Sequence, residues 1–304
     1  MIRTLTIALV AFTLVVQSAP AKALMIAPPN VSQRVLSSPV IVMGKITALE
    51  MDPVLVAQEG SPNKISYQVG TFKIAEALKG GNGLTHLRIG VVMPMVAPPV
   101  PIEPEDGNIR IRRPILSRSN PFQIKLEENM EGVFFLVQHP TENFYIMSGM
   151  ALPLLKNSES FAKDMGLIKK TMQVLSDPMK GLKSDKAEER GFTAVTLLTA
   201  YRTPPQPVKG APANPKMEAV PLEESKLIMS AIAEQDWKKF NPELGIQPWQ
   251  SYFFQLGANE QTGYVAPKFM GQPNYNDLVQ ESARAWIAKN AETHRIQRFA
   301  IAKK

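Results

Sequence analysis

The chain of 304 residues contains no cysteine. This absence excludes disulfide bonds, thiolate nucleophiles and zinc sites that use cysteine ligands. Histidine is scarce as well, because only His86, His139 and His294 occur, and no two of them have the spacing of metal ligands. A local zinc site is therefore not expected. Without disulfide bonds, the folded chain must be held together by its hydrophobic core.

Catalytic signature motifs are also missing. The chain has no G-x-S-x-G nucleophile elbow, no H-E-x-x-H motif, no Walker A loop, no Rossmann glycine fingerprint and no EF-hand loop. No cofactor is predicted. The sequence therefore favours a protein that is not an enzyme.

Long apolar runs are limited to the N-terminus, which has the layout of a secretory signal peptide. A short basic start ends at Arg3, residues 5–16 are largely apolar, and Ala21 and Ala23 flank Lys22. The apolar run is shorter than the ~18 residues that a membrane-spanning helix needs, although an anchor or a buried first helix is the alternative. We predict export to the periplasm or the extracellular space after cleavage near Ala23, with no transmembrane segment in the mature chain.

Charge of either sign is modest. The chain carries 34 basic and 27 acidic residues, or +7, and loss of residues 1–23 removes Arg3 and Lys22, which leaves 32 minus 27, or +5. This excess is too small to predict nucleic-acid binding. It suits weak adhesion to an anionic envelope surface or glycan.

Five segments of the N-terminal half have the composition and alternation of β-strands. They are residues 40–49, 65–78, 84–92, 132–138 and 144–147. Gly44 and Gly70 lie inside the first two, where a strand bends at the corner of a small barrel. Five strands with one long excursion between the third and the fourth predict a small antiparallel barrel.

These strand segments carry a resemblance to a known family. They read SSPVIVMGKITALE, YQVGTFKIAEALKGG, LRIGVV, ENMEGVFFLVQ and NFYIM. Together they resemble the β-barrel of the netrin and tissue-metalloproteinase-inhibitor-like domains over residues 31–155, which implies an OB-like fold. Those inhibitors clasp zinc with an N-terminal cysteine. Because this chain has none, the resemblance does not imply protease inhibition by that route.

The excursion at residues 93–125 is rich in proline in its first half and in arginine in its second. Its arginines are Arg110, Arg112, Arg113 and Arg118. Loops of OB barrels commonly bind ligands, so these four residues are the candidate binding site for an anionic glycan or oligonucleotide. The alternative is a solvated loop.

After Leu155 the apolar spacing becomes helical. Helices are predicted at 161–175, 184–201, 222–236, 248–256 and 275–290, and a short helix capped by Asn30 precedes the first strand. Asp185 and Glu188 have capping-box spacing, and residues 293–302 are either a terminal strand or an ordered tail.

The predicted class is α+β, with a signal peptide at 1–23, an OB-like barrel at 24–155, and an all-α domain at 156–304 that has a proline-rich loop at 203–221.

The whole chain resembles uncharacterised exported proteins of planctomycete-type bacteria. The matching segments are residues 183–190, 201–204, 223–228 and 285–287. This resemblance implies export and carries no function.

The sequence leaves two functions open. The first is an exported, non-catalytic binding protein whose barrel is the interaction module, with an envelope protein or an anionic glycan as partner and no nucleic acid. The second is an envelope-associated hydrolase or a protease-inhibitor-like protein whose site is assembled only in three dimensions. Glu127, Glu131 and His139 are the candidate members of such a site.

The signal-peptide hypothesis predicts the N-terminus of the exported protein. N-terminal sequencing of the chain recovered outside the cytoplasm is expected to read Leu24-Met25-Ile26, because the small residues Ala21 and Ala23 suit signal peptidase. Replacement of Ala23 by arginine should block this cleavage. An exported chain that retains Met1 would contradict the prediction.

Overall fold

The computed structural model describes residues 29–57, 64–94, 124–149, 151–205, 215–239, 249–268, 271 and 273–300. The strands in these ranges are β1 (Val40–Leu49), β2 (Val54–Ala57), β3 (Lys64–Lys79), β4 (His86–Val92), β5 (Glu131–Gln138), β6 (Tyr145–Met147), β7 (Leu154–Leu155), β8 (Met217–Ala219) and β9 (Gln297–Phe299). The helices are α1 (Val31–Ser37), α2 (Phe161–Ser176), α3 (Pro178–Leu182), α4 (Ala187–Arg202), α5 (Leu222–Ala233), α6 (Trp249–Gln255) and α7 (Tyr275–Asn290).

Five strands close into a barrel in the order β1-β3-β4-β6-β5, with β5 pairing back to β1. Four of these pairs are antiparallel, whereas β4 and β6 are parallel where Ile89 lies beside Tyr145. A closed ring with an odd number of strands cannot alternate direction all the way round. The predicted antiparallel barrel is therefore corrected to a mixed one, which is compatible with an OB-like fold.

Gly44 lets β1 and β3 approach each other closely. A Cβ atom at this position would lie 2.1 Å from the carbonyl oxygen of Lys73 on β3, and the pairing of the two strands shifts register between Met43 and Gly44. The sequence predicted a bulge or a sharp bend at Gly44, and the register shift agrees with the bulge. Only glycine leaves room for the backbone of β3 at this corner.

The barrel interior is filled by large side chains from alternating strand positions. Phe72 of β3 and Phe134 of β5 meet there with their ring centroids 4.8 Å apart. Around them lie Val42, Ile46, Leu87, Ile89, Leu126 and Leu136, all buried. Each such side chain contributes about 1.5–3 kcal/mol when it leaves water, so this cluster accounts for much of the stability of the barrel.

The outer face of β1 and β5 is covered by two helices. Ile41, Val133 and Phe135 point outward and pack against Val35 of α1 and Ile168 of α2. A hydrogen bond of 3.0 Å between the Ser32 and Thr171 hydroxyls joins α1 to α2 inside this layer. The first helix that follows the barrel in the chain thus becomes part of its outer wall.

α1 begins as the sequence predicts. The Asn30 side chain accepts from the backbone N–H of Gln33, and the Gln33 side chain accepts from the N–H of Asn30, which is a capping box. The capping box predicted at Asp185 is wrong, because α4 begins at Ala187 with Lys186 as a cap that makes no side-chain hydrogen bond.

The C-terminal half packs around α4. Residues 191–198 of this helix are all buried, and it contacts α2, α3, α5, α6 and β9. The half is not all-α as predicted, since β8 and β9 form an antiparallel ribbon in which Ala219 lies beside Gln297. No helix in the ranges described is both long and apolar enough to cross a membrane.

Two glycine-to-alanine substitutions test the corner at Gly44. Gly44→Ala is expected to lower the free energy of unfolding by at least about 1–3 kcal/mol, because the new methyl group overlaps the Lys73 carbonyl. Gly166→Ala is the matched control, since its Cβ in α2 meets no atom within 4 Å, and it should raise stability by about 0.5–1 kcal/mol. Urea unfolding followed by circular dichroism measures both. Equal stability of the two variants would contradict this account of the corner.

Candidate functional site

The four candidate arginines lie outside the residues that the structure describes. Arg110, Arg112, Arg113 and Arg118 belong to residues 95–123. The structure does describe the two anchors of that segment. The backbone N–H of Met93 donates to the Ser66 carbonyl at 2.8 Å, and the N–H of Leu126 donates to the Gln68 side chain at 3.1 Å. Both ends of the segment are therefore attached to the first half of β3.

Exposed apolar side chains gather at the same place. We name residues 51–57, 64–67 and 92–93 the open end of the barrel. Four of the nine exposed large hydrophobic residues in the described ranges lie there: Met51, Leu55, Val92 and Met93. Met51 is 97% exposed and Leu55 is 59% exposed. Leu55 pairs with Ser66, whose hydroxyl contacts the Met93 sulfur at 3.6 Å, so Leu55 and Met93 lie in one row of the sheet, whereas Val92 pairs with Tyr67 in the next row.

Strand β2 borders the open end and is an edge strand. It pairs with β3 only, and none of the described strands lies on its other side. Its sequence, Val-Leu-Val-Ala, has no charge and no proline. Exposed edges are usually protected by charged residues, prolines or bulges, because unpaired backbone groups readily accept another strand. This edge carries none of those protections on the strand itself.

His139 lies on a different face of the barrel, in the 139–144 hairpin that joins β5 to β6. Its Nδ1 accepts from the backbone N–H of Thr141 at 3.3 Å and from that of Glu142 at 3.2 Å. The ring packs edge-on against Tyr67 at 5.3 Å and against Phe144 at 4.9 Å. Burial lowers the pKa of the His139 imidazole, and the nearby Glu142 carboxylate opposes that shift. His139 is thus a turn residue inside an aromatic cluster.

The carboxylates of the predicted site are at the opposite end of β5. Glu127, Glu131 and Lys156 line an open cavity of about 450 Å³, together with Glu128, Asn129, Met130, Leu155 and Asn157. Glu131 is held by Lys156 at 2.6 Å. His139 follows the last residue of β5, so about 25 Å of strand separates it from Glu131. Catalytic carboxyl pairs act within about 10 Å, so these residues do not form one site.

The sequence did not predict a polar cluster between α4, α5 and the β8–β9 ribbon. The Tyr201 hydroxyl of α4 donates to the Glu224 carboxylate of α5, and the Arg298 guanidinium lies 5.6 Å from the centre of the Tyr201 ring. Arg298 also binds Glu218 at 2.8 Å. Burial raises the pKa of the Tyr201 phenol, and the hydrogen bond to Glu224 raises it further. These contacts tie the β8–β9 ribbon to the helices, and the cluster is structural.

The other histidines are also engaged in local contacts. His294 lies 2.9 Å from the Leu256 carbonyl, and His86 bonds the neighbouring Thr85 hydroxyl. Over the part of the chain that is described, no three His, Asp or Glu side chains are placed to hold a metal ion. Comparisons with protein-family models, curated proteins and solved structures found no match to this chain.

The Tyr201–Glu224 pair makes a stability prediction. Glu224→Ala should cost about 1–3 kcal/mol of unfolding free energy, because the half-buried Tyr201 hydroxyl loses its acceptor, the buried Glu224 carboxylate. Glu223→Ala is the control in the same first turn of α5. Glu223 pairs with Lys183 on the surface, and an exposed pair contributes about 0–1 kcal/mol. Thermal and urea unfolding compare them, and equal losses would show that the buried pair has no special role.

Proposed function

We propose that the protein is an exported binding protein without catalytic activity and that its OB-like barrel is the interaction module. The observation that carries the proposal is the open end of the barrel. There an edge strand with no described strand on its other side, the exposed row of Leu55 and Met93, and the Met93 anchor of the arginine-bearing segment come together, next to the Leu126 anchor at Gln68. Surfaces of this kind mark sites where another molecule binds.

The partner that fits this surface is an extended segment of an envelope protein. A strand added beside β2 would pair on the side where no described strand lies, and side chains at alternate positions would reach the exposed row. Leu55 and Met93 offer apolar contacts there and no charge. A highly charged anionic glycan suits this part of the surface less well, because glycan binding would depend on Arg110, Arg112, Arg113 and Arg118.

The placement of reactive side chains supports a non-catalytic role. Nδ1 of His139 accepts backbone N–H groups in its own turn, Glu131 is paired with Lys156, and Glu224 is bound by Tyr201. A general acid or base must reach the substrate proton, within about 3 Å or through one water molecule. The predicted members of a hydrolase site are kept apart by the length of β5. We therefore do not carry the hydrolase hypothesis forward.

The proposal includes a netrin-like and metalloproteinase-inhibitor-like barrel in an exported bacterial protein. The order of the five strands and the V-I-V-M-G-K-I segment of β1 support this finer assignment. Inhibition by a zinc-clasping terminus is no part of it, since the chain has no cysteine.

Site-specific photo-crosslinking tests the proposed surface. A photoreactive residue replaces Leu55 in the exported chain, and the same residue at Val265, which is 75% exposed in the C-terminal half, is the matched control. With the envelope fraction of the producing cells, one defined protein is expected to crosslink at position 55 and not at position 265. Proteolysis of the fraction beforehand should abolish the adduct, and a charge at the edge, Leu55→Lys, should weaken capture about tenfold or more.

The other outcomes decide against the proposal. A polysaccharide adduct that survives proteolysis and is lost when Arg110, Arg112 and Arg113 are replaced by alanine would assign an anionic glycan instead. Equal labelling at positions 55 and 265, or no labelling at either, would remove the open end as the interaction surface.

A further inference from the structure

We infer that the 139–144 hairpin is a pH-sensitive cover on the outer face of the barrel. The neutral His139 imidazole holds the hairpin closed, and protonation of its Nδ1 releases it. The inference concerns a different face from the open end and does not depend on the proposed partner.

The geometry at Nδ1 is the basis of the inference. Two backbone N–H groups, those of Thr141 and Glu142, point at this nitrogen, and the Thr141 hydroxyl lies 3.4 Å from it. An imidazole nitrogen accepts hydrogen bonds only while it carries no proton. Protonation would remove both backbone hydrogen bonds and turn the acceptor into a third donor facing two others. Only the Thr141 hydroxyl oxygen could then accept from Nδ1, and the two backbone hydrogen bonds that shape the turn are lost.

The surroundings of His139 add to the cost of a positive charge. The side chain is buried, with Tyr67 of β3 and Phe144 on either side. The ionisable groups that face it are the Tyr67 phenol and the Glu142 carboxylate. Arg88 of β4, paired with Glu50 at 2.8 Å, also donates to the Asn143 carbonyl of the hairpin. Burial is the largest influence on the His139 pKa and lowers it, while Glu142 favours the cation.

The hairpin covers an apolar part of the barrel wall. Phe144 lies so close to Gly90 of β4 that a Cβ atom there would be 2.6 Å from its ring. Beneath it lie Val56, Tyr67 and Val69, all buried. The hydrogen bond from the His139 N–H to the Phe144 carbonyl, 2.9 Å long, closes the hairpin. Opening would therefore lift Phe144 away and expose the outer face of β3 and β4.

The sign of the pH dependence follows from the lowered pKa. The open hairpin has a histidine of ordinary pKa, near 6.5, whereas the closed one has a lower value. The closed form thus has its full stability above about pH 6.5, and it loses stability as the pH falls from there through the closed-state pKa. Within that window the opening constant rises by up to about tenfold per pH unit.

Hydrogen exchange measured by mass spectrometry tests the cover. The exported chain is exchanged at pH 8, 7, 6 and 5, and rates are corrected for intrinsic amide exchange. Protection of residues 141–144 is expected to fall by up to about tenfold per pH unit below pH 6.5, while the barrel core at residues 132–136 stays protected.

In the variant His139→Asn, the amide oxygen can accept the same two N–H groups but does not titrate. Its protection should not change with pH. His86→Asn is the control, because His86 is exposed and makes no contact with the hairpin, and this variant should behave like the wild type.

A second measurement on the unaltered protein keeps the inference testable if His139→Asn does not fold. Nitrogen-15 NMR of the three histidines should show one at neutral pH with a bare Nδ1 and a protonated Nε2, and it should titrate below the ordinary histidine value. Corrected protection that does not change between pH 8 and 5 would overturn the inference. So would the same pH-dependent loss in His139→Asn, or a His139 that carries its proton on Nδ1.

Discussion

Strand β5 is buried on both of its faces, and the rest of the structure depends on that double burial. Phe134 and Leu136 point into the barrel, while Val133 and Phe135 point outward against α1 and α2. The same strand pairs with β1, β6 and β7. Removal of either covering layer would leave aromatic side chains in water, which makes the helices on this side a necessary part of the barrel. A short barrel that buries one face only would have a much smaller apolar core.

Several polar side chains in both halves make hydrogen bonds that hold structural elements in place. His139 accepts from backbone groups of its own turn, and Tyr201 donates to Glu224. Buried polar groups are expensive when unpaired, so these pairs hold elements in place. Within the described ranges, exposed apolar side chains and the side of β2 on which no described strand lies meet at the open end.

The open end and the 139–144 hairpin lie on two surfaces of one small sheet. Leu55 and Met93 occupy the exposed side, and Tyr67 and Val69 lie on the side that Phe144 covers. Because successive residues of a strand point to opposite sides, β2, β3 and β4 present one face that Phe144 covers and one on which Leu55 and Met93 are exposed. A molecule that pairs with β2 would touch the border of both faces.

Local patterns in the chain determined the elements themselves. The alternation of residues 40–49 and 65–78 predicted β1 and β3, glycine inside β1 predicted its bend, and Asn30 with Gln33 set the start of α1, since these signals act over a few residues. Strand β2 was missed, because four residues are too few for a period to be recognised. The pairing of β8 with β9 was not predicted, because the two strands are about 80 positions apart and each is only three residues long. Each forms its ladder hydrogen bonds with the other strand.

Only the tertiary structure decided the directions of paired strands and the distances between side chains of different elements. The direction of the pair β4–β6 follows from closing an odd number of strands, which no strand pattern encodes. The meeting of Tyr201 with Glu224 depends on how α4 and α5 pack, whereas the separation of Glu131 from His139 is set by the length of β5. The chain by itself determined which side chains could do chemistry and which segments could form a core. Packing decided that Tyr201 meets Glu224 and that Leu55 and Met93 are exposed together, because distances between elements are set by the burial of apolar surface and not by position in the chain.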